Sequence, residues 1–210
     1  MRHFLFTSEA VSRGHPDKVA DQISDAILDA LLAQDPMARV AVECLLKSNL
    51  CLIAGEVTTH AQVNFSAIAR KVIEDIGYRM ETHDFDARLC TILTAIDEQS
   101  RDIAVGVNAT DTKEQGAGDQ GMMFGYACDE TPEYMPLAIT YAHSLARRLA
   151  LARKQNIIPF LGPDGKTQVT VEYEQGRPKG VNTIVISSQH NPGISQATIK
   201  EAINEEVIKK

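Results

Sequence analysis

One order of elements, strand–helix–hairpin–helix, reads twice along this sequence, and a glycine run separates the two readings. The run is Gln115-Gly116-Ala117-Gly118-Asp119-Gln120-Gly121. Glycine loses more conformational freedom on folding than any other residue, so a cluster marks unusual backbone angles or a close backbone approach. The residues after it, Met122-Met123-Phe124-Gly125-Tyr126-Ala127-Cys128, read as a strand with Asp119 at its mouth. A doubled order constrains the fold strongly, because each copy must bury its own apolar face.

The first copy opens with a short strand at residues 3–8 and a polar turn at 11–14. Pro16 suits the first position of a helix, and Val19, Ile23, Ile27, Leu28, Leu31 and Leu32 follow at helical spacing until Asp35-Pro36. Residues 39–47 and 50–59 are two strands that turn at Ser48-Asn49. Asn64 can cap a second helix through Ile68, Val72, Ile73 and Ile76, which Gly77 ends. Residues 89–96 form a last strand. Residues 97–114 are polar and weakly periodic, and a connection of that length inside a domain is usually functional or mobile.

The second copy begins with the strand after Gly121. Pro136 opens a long helix through Leu137, Tyr141, Leu145, Leu149 and Leu151, and Pro163-Asp164-Gly165 is a turn. Residues 167–173 and 180–188 pair around Gln175-Gly176, and Ser195 caps a helix through Ile199, Ala202, Ile203 and Val207. The predicted fold is α+β: repeated strand–helix–hairpin–helix–strand units, sheets with helices on one face. The first unit covers 1–100, a mobile connection 101–114, and the second unit 115–210 without its final strand.

Charge and composition exclude several classes. With 210 residues, 44% hydrophobic, 23% charged and a net charge of −7, the chain has no basic run that would serve nucleic acid. No apolar run approaches a membrane span, and MRHFLFTSEA lacks the apolar core of a signal peptide. Cys44, Cys51, Cys90 and Cys128 have no CxxC spacing and read as small buried thiols of a reducing cytoplasm.

Four places could carry chemistry. His15-Pro16-Asp17-Lys18 sits at a helix N-terminus, where free N–H groups and the dipole favour an anion. There His15 can touch a phosphate, and Asp17 either holds a cation or merely complements the dipole. In the first hairpin, a turn at Ser48-Asn49 pairs Lys47 with Leu50 and Ala41 with Glu56. Glu43, Lys47 and Glu56 then share a face with Ala41, Leu45, Leu52 and Ala54. Carboxylates on such a face need a cation or donors, unless the face is open to water. The glycine run can nest an anion but lacks the P-loop ending. Asp164-Gly165-Lys166 is either a plain turn or a phosphate contact.

Several segments, taken in order, carry a resemblance. They are Phe6-Thr7-Ser8-Glu9, Gly14-His15-Pro16-Asp17-Lys18 and Ala20-Asp21-Gln22-Ile23-Ser24-Asp25-Ala26. They continue with Gly55-Glu56-Val57-Thr58-Thr59, the glycine run with Phe124-Gly125-Tyr126-Ala127, Pro163-Asp164-Gly165-Lys166, and Gln189-His190. Their order and spacing closely resemble the S-adenosylmethionine synthetase (methionine adenosyltransferase) family. The resemblance implies three intertwined α+β units, of which this sequence holds the first and nearly all of the second. It implies the joining of ATP and L-methionine into S-adenosylmethionine, with release of phosphate and diphosphate, using Mg²⁺ and K⁺.

By the same resemblance, His15 contacts the triphosphate and Asp164, Gly165 and Lys166 meet ATP, with His15, Lys166 and Asp119 catalytic. Glu56, Gln99 and Asp119 bind methionine, Asp17 binds magnesium and Glu43 potassium. Residues 97–108 form a closing loop, and the site is shared in a homodimer or a tetramer. The sequence departs from the family pattern at Arg13, Asp97-Glu98, Arg101 and Gly162. The alternative is a truncated or diverged homologue that dimerises and binds nucleotide weakly without turnover.

Overall fold

The computed structural model describes residues 3–79, 85–107, 112–117 and 120–210, and only the backbone of 101, 103 and 104. The elements run β1 (His3–Val11), α1 (Pro16–Leu32), β2 (Arg39–Lys47), β3 (Leu50–Thr58), α2 (Phe65–Ile76), β4 (Thr91–Asp97) and α3 (Arg101–Val107). After them come α4 (Leu137–Lys154), β5 (Leu161–Glu174), β6 (Arg177–His190), α5 (Gln196–Ile203) and a π-helical turn, Asn204–Ile208. The architecture is mixed α+β with two three-stranded sheets, ordered β1-β5-β6 and β2-β3-β4.

Local signals fix most helix ends. Pro16 is the first residue of α1. Asn64 Oδ1 accepts the Ala67 N–H at 2.9 Å and caps α2, and Gly77 leaves it at φ +119°. Ser195 Oγ accepts the Thr198 N–H at 3.1 Å and caps α5. Glu130, from seven residues upstream, accepts the Leu137 N–H of α4 at 2.9 Å and the Tyr173 hydroxyl at 2.7 Å.

The chain divides into two compact units. One, the β5–β6 unit, gathers Met1–Val19, Ile76–Asp84 and Tyr126–Lys210; the other, the β2–β3 unit, gathers Ala20–Asp75 and Phe85–Gly125. This division cuts across the contiguous segments 1–100, 101–114 and 115–210. The reason is β1, which does not join the first hairpin but pairs antiparallel with β5 from His3↔Glu174 to Val11↔Lys166. Phe4 stacks on Tyr173 at 4.9 Å between ring centroids. A short strand followed by a long helix carries no local mark of which hairpin it will join.

In the β5–β6 unit, Val169, Val171 and Tyr173 face Ala138, Ala142 and Ala146 of α4. The small alanines let the helix approach the sheet closely, and Thr167, fully buried, donates its hydroxyl to the Ala142 carbonyl at 2.7 Å. Farther along, Ile199, Ile203 and Val207 pack with Leu149, Ile158 and Leu161.

In the β2–β3 unit, β2 and β3 pair antiparallel with Lys47 opposite Leu50 and Ala41 opposite Glu56, as the Ser48-Asn49 turn predicts. β4 adds in parallel, with Leu93 beside Leu52 and Asp97 beside Glu56. Cys51 and Ile53 are fully buried on one face of this sheet, where Ser24 of α1 hydrogen-bonds Cys44 and Arg70 of α2 reaches the Ala87 carbonyl at 2.6 Å.

Three expectations are corrected. Residues 122–128 form no strand: Met123 and Phe124 are 89% and 90% exposed, and no ladder partner exists among the described residues. The segment 97–114, read as a loop, contains the helix α3. Pro163-Asp164-Gly165 is not a turn but the irregular start of β5, where the register slips between Leu161 and Gly165.

Candidate active site

In the β5–β6 unit two backbone segments cross next to the start of α1. Residues 12–15 make a tight turn closed by the His15 N–H, which donates to the Ser12 carbonyl at 3.1 Å. Ser12 ties that turn to the irregular start of β5 twice: its N–H donates to the Gly165 carbonyl at 2.8 Å and its buried hydroxyl to the Pro163 carbonyl at 2.8 Å. Gly14 is required at the crossing, because a Cβ there would sit 2.3 Å from the Pro163 carbonyl oxygen.

His15 precedes α1, and its ring is only 14% exposed. Its Nδ1 accepts the Asp17 backbone N–H at 3.3 Å. With Nδ1 accepting, Nε2 carries the ring proton and is the atom left to donate. The Asp17 carboxylate stands 3.8 Å from Nδ1 and is 89% exposed at the helix N-terminus.

Asp164 is the electrostatic centre of this region. Its Oδ1 is buried and has no hydrogen-bond partner, and burial pushes the carboxyl above the usual carboxylate range. His15, the Gly165 N–H and Lys166 oppose that shift, so all three lie close to it. Lys166 itself is half exposed, with Nζ 3.6 Å from Glu9 Oε1. A buried carboxylate oxygen without a donor costs stability, so it marks a place shaped for a cation or a donor from a ligand.

The structure therefore brings His15, Asp164, Gly165 and Lys166 together in one unit, with Asp17 one step along α1. Glu43, Glu56 and Gln99 lie in the other unit. Glu56 pairs with Asp97 across β3 and β4, and Glu43 sits opposite Ala54 on the same face. Gln99 is engaged, its Oε1 accepting the Arg39 Nε–H at 2.8 Å. Asp119 lies outside the described residues. Among the described residues, no three His, Cys, Asp or Glu side chains are grouped to hold a metal ion by themselves. Any cation at Asp17 or Glu43 must take further oxygens from a ligand or from elsewhere.

Three contributors escaped sequence reasoning. Ser12 appeared only as part of a polar turn. Gln189, seen only as part of a motif, accepts the Asp164 N–H through Oε1 at 3.3 Å. Its side chain lies 2.5 Å from where a Cβ on Gly162 would be, which explains why no larger residue fits there in this arrangement. Arg39, at the start of β2, gave no signal of its tie to Gln99.

No helix among the described residues is long and apolar enough to cross a membrane. The four cysteines are free thiols, and burial pushes Cys51 up to about 12.

The fold and this turn define an α+β protein in which a histidine, a carboxyl group and a lysine gather near a helix N-terminus. Comparison with known families narrows the class. Residues 3–101 match the N-terminal domain of S-adenosylmethionine synthetase and residues 114–210 match its central domain. The chain is 55% identical over 212 residues to the S-adenosylmethionine synthase of Syntrophobacter fumaroxidans, with 100% of this chain and 54% of that protein covered. It is 57% identical to that of Desulfosudis oleivorans, covering 99% of this chain and 54% of the relative. For that of Prochlorococcus marinus the identity is 54%, covering 100% of this chain and 53% of the relative. The chain belongs to the S-adenosylmethionine synthetase family, and it spans about half the length of the curated relatives it matches.

Proposed function

We propose that this chain carries the nucleotide-binding turn and the methionine-facing hairpin of a methionine adenosyltransferase. That enzyme joins ATP and L-methionine into S-adenosylmethionine and releases phosphate and diphosphate. The observation that carries the reading is the Ser12–His15 turn bound to the start of β5, with the unpartnered Asp164 oxygen beside His15 and Lys166. Displacement of a triphosphate by a sulfur needs positioning and charge stabilisation more than acid–base groups. His15 Nε2 donates to the triphosphate, Lys166 neutralises it, and Asp164 with the Gly165 backbone orients the nucleotide.

Mg²⁺ and K⁺ belong to the same reading. An exposed carboxylate at Asp17, beside a phosphate-binding turn, fits a hard cation that takes its other ligands from phosphate and water. Glu43 is the donor assigned to K⁺. Mg²⁺ supplies charge neutralisation to the departing triphosphate when bound. Glu56, Gln99 and Asp119 hold methionine, with Asp119 on its ammonium group. Residues 97–114 close over the substrates, which limited proteolysis within that segment tests: ATP and methionine together slow the cleavage.

The uncovered face of the β2-β3-β4 sheet supports a homodimer, with a tetramer as the larger assembly. Leu45 and Leu93 on it are 57% and 51% exposed, and Leu52, Ala54 and Ala95 join them. An apolar patch of this kind on a sheet is a mark of an interface. Each unit is built around a hairpin packed with helices, a plan that fits the family's repeated α+β unit, and four free thiols favour a reducing, cytoplasmic setting.

The deciding experiment is calorimetric titration of the chain with Mg²⁺·tripolyphosphate and Mg²⁺·ATP, followed by mass spectrometry for S-adenosylmethionine. Binding that weakens about tenfold or more in His15→Gln and Asp17→Asn supports the site. Binding indifferent to both changes overturns it. Binding without product supports the non-catalytic homologue instead.

A further inference from the structure

The peptide plane that leads into His15 is pinned at both ends. Its N–H, on His15, donates to the Ser12 carbonyl at 3.1 Å. Its C=O, on Gly14, accepts the hydroxyl of Tyr78 at 2.5 Å, and Tyr78 is only 5% exposed. A peptide plane can tilt about its flanking bonds only by giving up one of these partners. Gly14 is itself buried, so a lost hydroxyl leaves its carbonyl with little access to water.

Tyr78 is itself held from behind. Arg153, near the end of α4, donates Nη2–H to the Ile76 carbonyl at 2.7 Å. Its other guanidinium nitrogen lies 2.4 Å from where a Cβ at position 77 would be, and Gly77 has φ +119°. No other residue type suits that position, so the segment 76–78 has one path past the guanidinium. Burial pushes the Tyr78 hydroxyl well above its ordinary range, and the charge of Asp164 adds to the shift. The hydroxyl therefore stays protonated as a donor, close to the same carboxylate that His15 faces.

We infer that Tyr78, braced by Arg153, is a positioning residue that sets the His15 turn for anion binding. It acts through the Gly14–His15 peptide. The functional half of the inference rests on His15 as the anion contact, whereas the structural half stands on the hydrogen bonds alone.

The test compares Tyr78→Phe, which keeps the ring and removes only the hydroxyl, with Tyr134→Phe at an exposed tyrosine. Three quantities are read on the full chain: amide hydrogen exchange at His15, the His15 ring resonances, and the affinity for Mg²⁺·tripolyphosphate. In Tyr78→Phe, exchange at His15 rises and tripolyphosphate affinity falls, each about fivefold, while the ring resonances move. Arg153→Met gives a smaller change of the same sign, and Tyr134→Phe gives none. A lowered melting temperature with unchanged His15 exchange and resonances would mean that Tyr78 only stabilises the fold, and the inference falls. If the unaltered chain ignores tripolyphosphate, the anion reading fails, and the exchange and resonance data still decide the role of Tyr78.

Discussion

The two sheets differ most on the faces that carry no helix. On the β2-β3-β4 sheet that face carries Leu45, Leu52, Ala54, Leu93 and Ala95, with Glu43 beside Ala54 and with Glu56 and Asp97 toward one end. On the β1-β5-β6 sheet the corresponding face carries Thr7, Glu9, Lys166, Gln168, Thr170 and Glu172, with Leu5, Val11 and Val185 among the apolar exceptions. There the side chains satisfy one another: Thr7 bonds Thr170 at 2.9 Å, and Glu172 accepts from His3 at 2.8 Å and Lys179 at 3.4 Å. The helix-facing sides are both largely apolar, with Cys51 and Ile53 buried in one and Val169, Val171 and Tyr173 in the other, where Thr167 is the buried polar exception. The same sheet-and-helix plan is thus used for two purposes. One outer face is finished by its own polar pairs, and the other keeps exposed leucines at its centre.

The largest expected effect is on the sheet with the apolar face. Gly55 has φ +147°, and a Cβ there would lie 2.0 Å from the Ala41 carbonyl oxygen. Gly55→Ala should cost about 2–3 kcal/mol in urea unfolding, because neither the backbone angle nor the space admits a methyl group. An unchanged midpoint would mean that β2 and β3 can part locally, and that the face beside Glu56 is softer than its register suggests.

Next in size is a charge at the centre of that face. Leu93→Asp should raise the dimer dissociation constant at least about 30-fold in analytical ultracentrifugation. Thr183→Asp, an exposed position on the polar face of the other sheet, should leave it within about twofold. Equal effects from both changes would erase the distinction between the two faces.

The smallest effect sharpens the polar side. Burial raises the Asp164 carboxyl above its unfolded value, so its ionised form costs stability at neutral pH. That cost is relieved as the pH falls through the raised folded value. Asp164→Asn should therefore raise the melting temperature by about 2 °C at pH 7, with the gain vanishing in acid. A lower melting temperature at pH 7 would show that the charge of Asp164 is already offset within the fold. The same change should weaken Mg²⁺·ATP binding, which separates a group kept for a ligand from one kept for stability.

Much of this was legible because it is local. Pro16, Asn64, Gly77 and Ser195 set helix ends through bonds that span a few residues, and the Ser48-Asn49 turn fixed the β2–β3 register without help from the rest of the chain. That Glu43 and Glu56 share one face follows from that register alone. The Gly-His-Pro-Asp-Lys segment likewise announced a helix N-terminus with a donor and an acid beside it.

What depended on distant partners was not legible. Strand β1 and residues 122–128 look equally strand-like, yet one finds β5 along its whole length and the other finds no ladder among the described residues. Periodicity records a preference for extended backbone, whereas a strand exists only where a second strand completes its hydrogen bonds. The start of β5 looked like a turn because Pro163-Asp164-Gly165 has turn composition, and only its pairing toward Ser188 and its ties to Ser12 draw it out into a bulged strand. Asp164, Tyr78 and Arg153 owe their roles to burial and to contacts far along the chain, and neither is written in the residues themselves. Sequence by itself determined most of the helices, the first hairpin and the family. Tertiary structure alone decided which sheet each strand completes and which carboxylate is left buried without a partner, because both depend on long-range packing that no local pattern encodes.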